Sequence, residues 1–256
     1  MLSNASTIAG YAITATDGNL GTVSDFLFDD SDWFIRWLVV DTGNWLSGRK
    51  VLLPTSVLGH LDSDREEFAV RLTMRQVKDS PDIDTDRSVS RRMEASVYDY
   101  YGWRPYWGSG LYMGSYGTMG NAIALAPGTT RQEAQDERFQ RDDEDPHLRS
   151  CNSVTGYHVR ARDGEIGHVK DFLLEDADWT IHYVVVDTTN WWAGKKVLIS
   201  PRSVTGIAWR DSLMNLNVER QAVKDSPLYD ATAPVARSYE RKFDDYYSGA
   251  GRPNSL

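Results

Sequence analysis

A single cysteine, Cys151, stands in the whole sequence, which excludes an internal disulfide and any metal cluster built on several thiolates. No run approaches the roughly 20 apolar residues that cross a bilayer as a helix. The stretch Met1 to Gly10 has neither the basic residues nor the apolar core of a secretory signal. These absences predict a cytoplasmic protein. An excess of positive charge is missing too: 28 Lys and Arg stand against 37 Asp and Glu, a formal net charge of -9. Long-range electrostatics therefore oppose a phosphate backbone, and nucleic acid is not expected as a partner. What is present is apolar and aromatic. Hydrophobic residues make up 41% of the 256, with 9 Trp, 13 Tyr and 7 Phe, enough for one or two compact cores.

The sequence repeats itself. A displacement of 146 positions brings Gly10-Tyr11 onto Gly156-Tyr157, Asp17-Gly18 onto Asp163-Gly164, and Asp25-Phe26-Leu27 onto Asp171-Phe172-Leu173. Further along, Asp32-Trp33 meets Asp178-Trp179, Val39 to Thr42 meets Val185 to Thr188, and Lys50-Val51-Leu52 meets Lys196-Val197-Leu198. From Ser6 to Leu53, 24 of 48 positions are identical to their counterparts. The register slips by one residue at Pro54 and Pro201, returns at Val77 to Pro81 facing Val223 to Pro227, and fades at Tyr100-Tyr101 facing Tyr246-Tyr247. The expected organisation is repeat 1 over residues 1–102, a linker over 103–151, and repeat 2 with a tail over 152–256. The linker runs from Gly, Ser and Tyr into polar, charged sequence, with too little apolar pattern to offset the entropy of ordering it.

Within a copy the apolar spacing is mostly two, the period of a strand. Expected strands cover Ile8 to Ala15, Leu20 to Phe28, Phe34 to Val40, Arg49 to Leu53, Val57 to Leu61 and Glu67 to Leu72. Asp17-Gly18 is a turn tolerant of positive φ. Six short, closely spaced strands make a small closed or nearly closed barrel. Thr73 to Gln76 has the spacing of a capping box and starts a short helix that ends before Pro81. Met93, Val97 and Tyr100 then fall on one helical stripe, as do Tyr239, Phe243 and Tyr246. The fold class is mainly β: two small barrels, each with a short C-terminal helical extension.

The order Gly-Tyr, Asp-Gly, Gly-x-Val-x-Asp, a Val-rich strand ending in Asp, Asn-Trp-x-x-Gly-x-Lys-Val-Leu and a following Pro resembles the PRC-barrel domain. That fold occurs in the cytoplasmic part of the photosynthetic reaction-centre H subunit and in the C-terminal domain of the RimM ribosome-maturation factor. The resemblance covers Ser6–Tyr101 and Asn152–Tyr247. It implies a β-barrel that contacts protein partners. The transmembrane helix of the H subunit and the additional N-terminal domain of RimM have no counterpart here.

A site built into the module should occur twice. Histidine fails that test: His158, His168 and His182 face Ala12, Thr22 and Arg36, while His60 lies in a realigned loop and His147 in the linker. No metal or other cofactor is expected, although the acidic turn Asp29 to Asp32 is a weak Ca²⁺ candidate without a full ligand loop. Cys151 has no counterpart cysteine and reads as incidental. Shared carboxylates are Asp17, Asp25 and Asp41 with Asp163, Asp171 and Asp187. They are either structural acceptors at turns and strand ends or a carboxylate pair for cation binding or for the acid–base work of an uncharacterised enzyme, and the first reading is preferred. The loop Thr42 to Lys50 and its copy offer Asn44, Trp45, Lys50, Asn190, Trp191 and Lys196 as partner-binding residues. Its Trp either presents a recognition tip or folds back over the barrel end. Leu38, Val40, Val184 and Val186 give the central strand a second apolar face, and are the expected site of packing between the repeats about a pseudo-twofold axis. The leading expectation is a non-enzymatic scaffold for an unknown protein partner. The alternative is an accessory of a membrane electron-transport complex like the H subunit.

Overall fold

A computed structural model describes residues 2–81, 89–103, 105–106, 147–188, 195–227, 229, 242–243 and 246. Repeat 1 contributes strands β1 (Leu2–Asn4), β2 (Ala12–Ala15), β3 (Gly18–Asp29), β4 (Ile35–Asp41), β5 (Lys50–Pro54), β6 (Leu58–Asp62) and β7 (Glu67–Val70). Its helices are α1 (Ala5–Ile8), α2 (Met74–Lys78) and α3 (Arg91–Tyr101). Repeat 2 contributes β8 (Leu148–Ser150), β9 (His158–Ala161), β10 (Gly164–Glu175), β11 (Thr180–Asp187), β12 (Lys196–Ile199), β13 (Val204–Ala208) and β14 (Leu213–Leu216). Helices α4 (Cys151–Val154) and α5 (Arg220–Asp225) complete it.

The chain is mainly β, in two sheets of seven strands. One runs β5-β4-β3-β2-β7-β6, the other β12-β11-β10-β9-β14-β13. Neighbours are antiparallel except β2 with β7 and β9 with β14, the parallel pairs through which each sheet curls back on itself. The long strand of each sheet is bent by bulges, at Val23/Asp25 in β3 and at Val169/Asp171 in β10. Near the first bend, glycine is obligatory at residue 21. Its φ is 136°, and a Cβ there would meet the Asp41 carbonyl oxygen at 1.9 Å. Gly167 repeats this, with φ 144° and 2.0 Å to the Asp187 oxygen.

The seventh strand of each sheet comes from the other repeat. β3 is 12 residues long and its neighbour β2 only 4, so its C-terminal part outruns β2 and would be a bare edge. Open edges invite a strand. Here β8 fills it, pairing Leu27 with Ser150, Phe28 with Arg149 and Asp29 with Leu148. Reciprocally, β1 pairs with β10: Asn4 with Leu173, Ser3 with Leu174 and Leu2 with Glu175. The two donor segments thus sit 146 positions apart on seats 146 positions apart, a pseudo-twofold relation.

Several expectations change. Ile8 to Ala15 is not one strand: Ile8 closes helix α1, and Gly10 at φ 95° turns the chain before β2. The stretch expected as linker to residue 151 ends in structure, because Leu148–Ser150 finds a strand edge and Cys151 opens α4. Gly18 is not among the positive-φ glycines; a Cβ there would lie 2.5 Å from the Met74 sulfur, so a larger residue would require the flexible Met74 side chain to shift. The capping box is formed, with the Thr73 hydroxyl accepting from Gln76 N at 3.2 Å and the Gln76 side chain accepting from Thr73 N at 2.9 Å. In α3 the buried stripe is Glu94, Val97 and Tyr98; Tyr100 is exposed, its hydroxyl donating to the Gln76 carbonyl at 2.9 Å. Tyr246 does the same to Ala222 at 2.6 Å, while Tyr239 lies outside the described residues.

Leu38, Val40, Val184 and Val186 are buried in one large core that draws on both repeats. None of them takes part in the hydrogen bonds or ring contacts that cross between repeats among the described residues. The opposite face of β4, Trp37 and Val39, is covered by α3 of the same repeat together with Leu148 of the incoming strand. In repeat 1, then, a helix of the same repeat covers the outer face of this strand.

Candidate functional site

The shared carboxylates organise the junction. Asp171 is buried at the bend of β10 and receives the donor segment of repeat 1: Asn4 Nδ2 at 3.0 Å, Ser6 N at 3.2 Å and Ser6 Oγ at 2.5 Å. The Tyr229 hydroxyl donates to the same Asn4 side chain at 3.1 Å. Asp25 mirrors it, accepting from Ser150 Oγ at 2.5 Å and Asn152 N at 3.1 Å, while Asn152 Nδ2 donates to the Ser24 carbonyl at 2.9 Å. Each carboxylate also accepts from the next backbone N–H, Phe26 at 2.7 Å and Phe172 at 2.8 Å. Burial raises the Asp25 pKa above the usual carboxylate range, against the bonds from Ser150, Asn152 and Phe26 and the Lys50 charge, which lower it. Cys151 lies in the same region. Burial pushes its thiol well above the ordinary range, and the Asp25 and Asp171 charges add to that, so it is held protonated and unreactive.

A second exchange runs through two tryptophans. The turns after β3 and β10 place Trp33 and Trp179 at φ 64° and 60°, a region costly for a bulky side chain. In return, the Trp33 carbonyl accepts from Ile181 N and the Trp179 carbonyl from Ile35 N, both at 2.8 Å. The Trp179 ring of repeat 2 lies in the core of repeat 1, with centroids 5.5 Å from Phe68 and 6.3 Å from Phe26. Phe28 and Phe172 meet across the junction at 5.5 Å.

The remaining shared acids also hold backbone. Asp17 accepts from Met74 N at 2.7 Å and Asp163 from Arg220 N at 2.8 Å, tying the first hairpin of each repeat to the helix that follows its sheet. Asp41 accepts from Gly43 N at 2.8 Å at the mouth of the Asn-Trp loop. In that loop Asn44 is exposed and Lys50 half-buried. Trp45 folds back: it is partly buried against the core and its indole N–H donates to the Leu20 carbonyl at 2.7 Å. Lys196 is half-buried and starts β12. Asn190 and Trp191 lie outside the described residues.

The acidic turn Asp29 to Asp32 is an ion-pair knot. Asp29 accepts from Ser31 N at 2.9 Å and Ser31 Oγ at 2.5 Å and faces Arg36 at 3.4 Å. Burial raises its pKa, but the Ser31 bonds and Arg36 outweigh that and leave it lowered. Asp30 meets His147 Nδ1 and Arg149 Nε, both at 2.8 Å, yet burial leaves its pKa raised. Arg36 also pairs with Asp32. Although the ligand atoms of Asp29, Asp30 and His147 lie within 4.8 Å of one another, two guanidinium groups already neutralise them, which disfavours a divalent cation. Beside this knot an open cleft of about 580 Å³ runs between the repeats, lined by Asp32, Trp33, His182, Tyr183 and Arg202 among others.

The sequence reading missed a fully buried carboxylate of repeat 1. Glu94 has no exposed surface; it accepts from the Trp37 indole N–H at 2.5 Å and the Tyr106 hydroxyl at 3.3 Å, with Arg91 at 3.8 Å. Burial, with the Glu94 charge second, pushes the Tyr98 phenol well above its usual range. A signal was there: Arg91-x-x-Glu94 recurs as Arg237-x-x-Glu240 at the same displacement.

These geometries sit on a fold whose sequence pattern matches a known family model twice, the PRC-barrel domain, at residues 2–72 and 146–214, together more than half of the chain. The chain belongs to the PRC-barrel family. Both matched segments begin with the donor strands, so each PRC-barrel unit in sequence includes a strand that sits in the other unit's sheet. A Deinococcus radiodurans protein described as uncharacterized is 35% identical over 85 residues, 33% of this chain and 30% of that protein's length. Among the described residues no helix is long and apolar enough to cross a membrane.

Proposed function

We propose that this tandem PRC-barrel chain is a non-enzymatic, cytoplasmic module that binds a protein partner through the ends of its barrels. One observation supports this reading above others: Asp17, Asp25, Asp41, Asp163 and Asp171, acids common to both repeats, accept hydrogen bonds from the chain's own backbone. A carboxylate so engaged is a structural acceptor rather than a general base poised toward substrate. On the outside, the Asn44 to Lys50 loop combines an exposed amide and a lysine on a short scaffold anchored by Trp45. Loops of this kind on a fixed frame are where recognition usually resides.

The test is affinity capture from the native cell with the full chain, identified by mass spectrometry, beside a variant carrying Asn44→Ala, Lys50→Ala, Asn190→Ala and Lys196→Ala. A protein retained by the parent and reduced at least tenfold by the variant supports the reading. Equal retention by both rejects these loops. Capture of a membrane electron-transport component, with co-fractionation on membranes, favours the accessory role.

A further inference from the structure

The strand and the carboxylate that hold each donor segment belong to the opposite repeat: Asp171, Tyr229 and β10 for Leu2–Ile8, and Asp25, Ser24 and β3 for Leu148–Val154. The donor in turn stays attached to its own repeat, where the Gly10 and Gly156 N–H groups bond to Val23 and Val169 at 2.7 and 2.8 Å. The exchange is therefore between two whole units. We propose that a second copy of this chain can serve as the partner, repeat 1 of each molecule pairing with repeat 2 of the other in a closed reciprocal dimer. This is independent of the loop-binding function proposed above.

The contacts of such a dimer are those of the monomer: the strand pairings, the Asp25 and Asp171 bonds, and the Trp33 and Trp179 bridges are all made once per pair of unlike repeats. With equal contacts, the tether decides. Joining two modules sets their mutual concentration on the order of millimolar, so the monomer prevails at micromolar concentration and the reciprocal dimer grows toward the millimolar range. The two forms interconvert slowly, because moving from one to the other breaks two strand pairings and withdraws the Trp179 ring from a closed core.

The experiment uses the intact chain. Two preparations carrying different fluorophores are mixed, unfolded in urea and refolded together at about 1 µM and at several hundred µM, then diluted and followed by light scattering and energy transfer. The expected result is monomer from the dilute refolding and, from the concentrated one, a doubly labelled dimer that persists for hours at 1 µM. Monomer alone at every concentration overturns the proposal, as does a dimer that disperses within seconds of dilution, which marks surface association. A second arm cuts folded chain at a protease site inserted between residues 107 and 146. The two pieces are expected to stay together one to one and, over days, to trade partners between labelled populations; pieces that separate at once in native buffer overturn it.

Discussion

In repeat 1 the outer face of β4 carries Trp37, whose indole N–H ends on the buried Glu94; in repeat 2 the same position is Tyr183, edge-on to Phe243 with ring centroids 5.1 Å apart. Next to these residues, Arg36 lies over the Tyr106 ring at 4.0 Å, and its counterpart is His182. The two repeats differ on this outer face. The receiving side of the junction is kept: Asp25 and Asp171 both accept from a hydroxyl and a backbone N–H of the incoming segment, and Trp33 and Trp179 share an uncommon backbone conformation. The outer faces and the donor segments differ between the repeats, while the acids and tryptophans that receive the donors are the same.

The severest way to break this comparison is Trp179→Ala. The ring belongs to repeat 2 but fills the core of repeat 1, so the loss of about 3–5 kcal/mol typical of large aromatic truncations should appear with weakened amide protection at Phe26 and Phe68. Urea unfolding and hydrogen exchange read both quantities. A disturbance confined to repeat 2 contradicts the exchange.

Glu94→Ala comes next. Removing the acceptor of the Trp37 N–H in a sealed site should cost about 1–3 kcal/mol, whereas Glu94→Gln retains an acceptor oxygen and should lose less. Equal losses in a denaturation series mean that the charge, rather than the indole bond, matters there.

The smallest effect sharpens the contrast in pH. Because burial raises the folded-state pKa of Asp25, its stabilising contribution is full below the ordinary carboxylate range and is lost as pH rises through the folded pKa. Asp25→Asn should therefore lose relatively more stability at acid pH than at neutral pH, and flatten the profile between them. A steeper profile in the variant reverses the sign and rejects this account.

Much of the fold was legible because it is local. The period of two gives the strands, Thr73 and Gln76 give the cap, and the repetition from Gly10 onward gives the architecture twice over. The clasp was not, since Leu2 pairs with Glu175, far along the chain, and the donor segments share little besides Leu2 and Leu148. Trp45 was ambiguous in sequence because a loop tryptophan suits either role; only the bond to Leu20 distinguishes them. Glu94 hid within a helical stripe read from its apolar members.

The reciprocal strands carry a consequence for birth on the ribosome. Leu2 emerges 173 residues (175 − 2) ahead of Glu175, its pairing partner, an interval on the order of 10–30 s at translation speeds of roughly 5–20 residues per second. For that time the nascent first half has a strand without a home and, at Leu27 to Asp29, a home without a strand. On a crowded polysome the nearest complement is a neighbouring nascent chain, so the rate of translation itself becomes a determinant of which molecules end up joined.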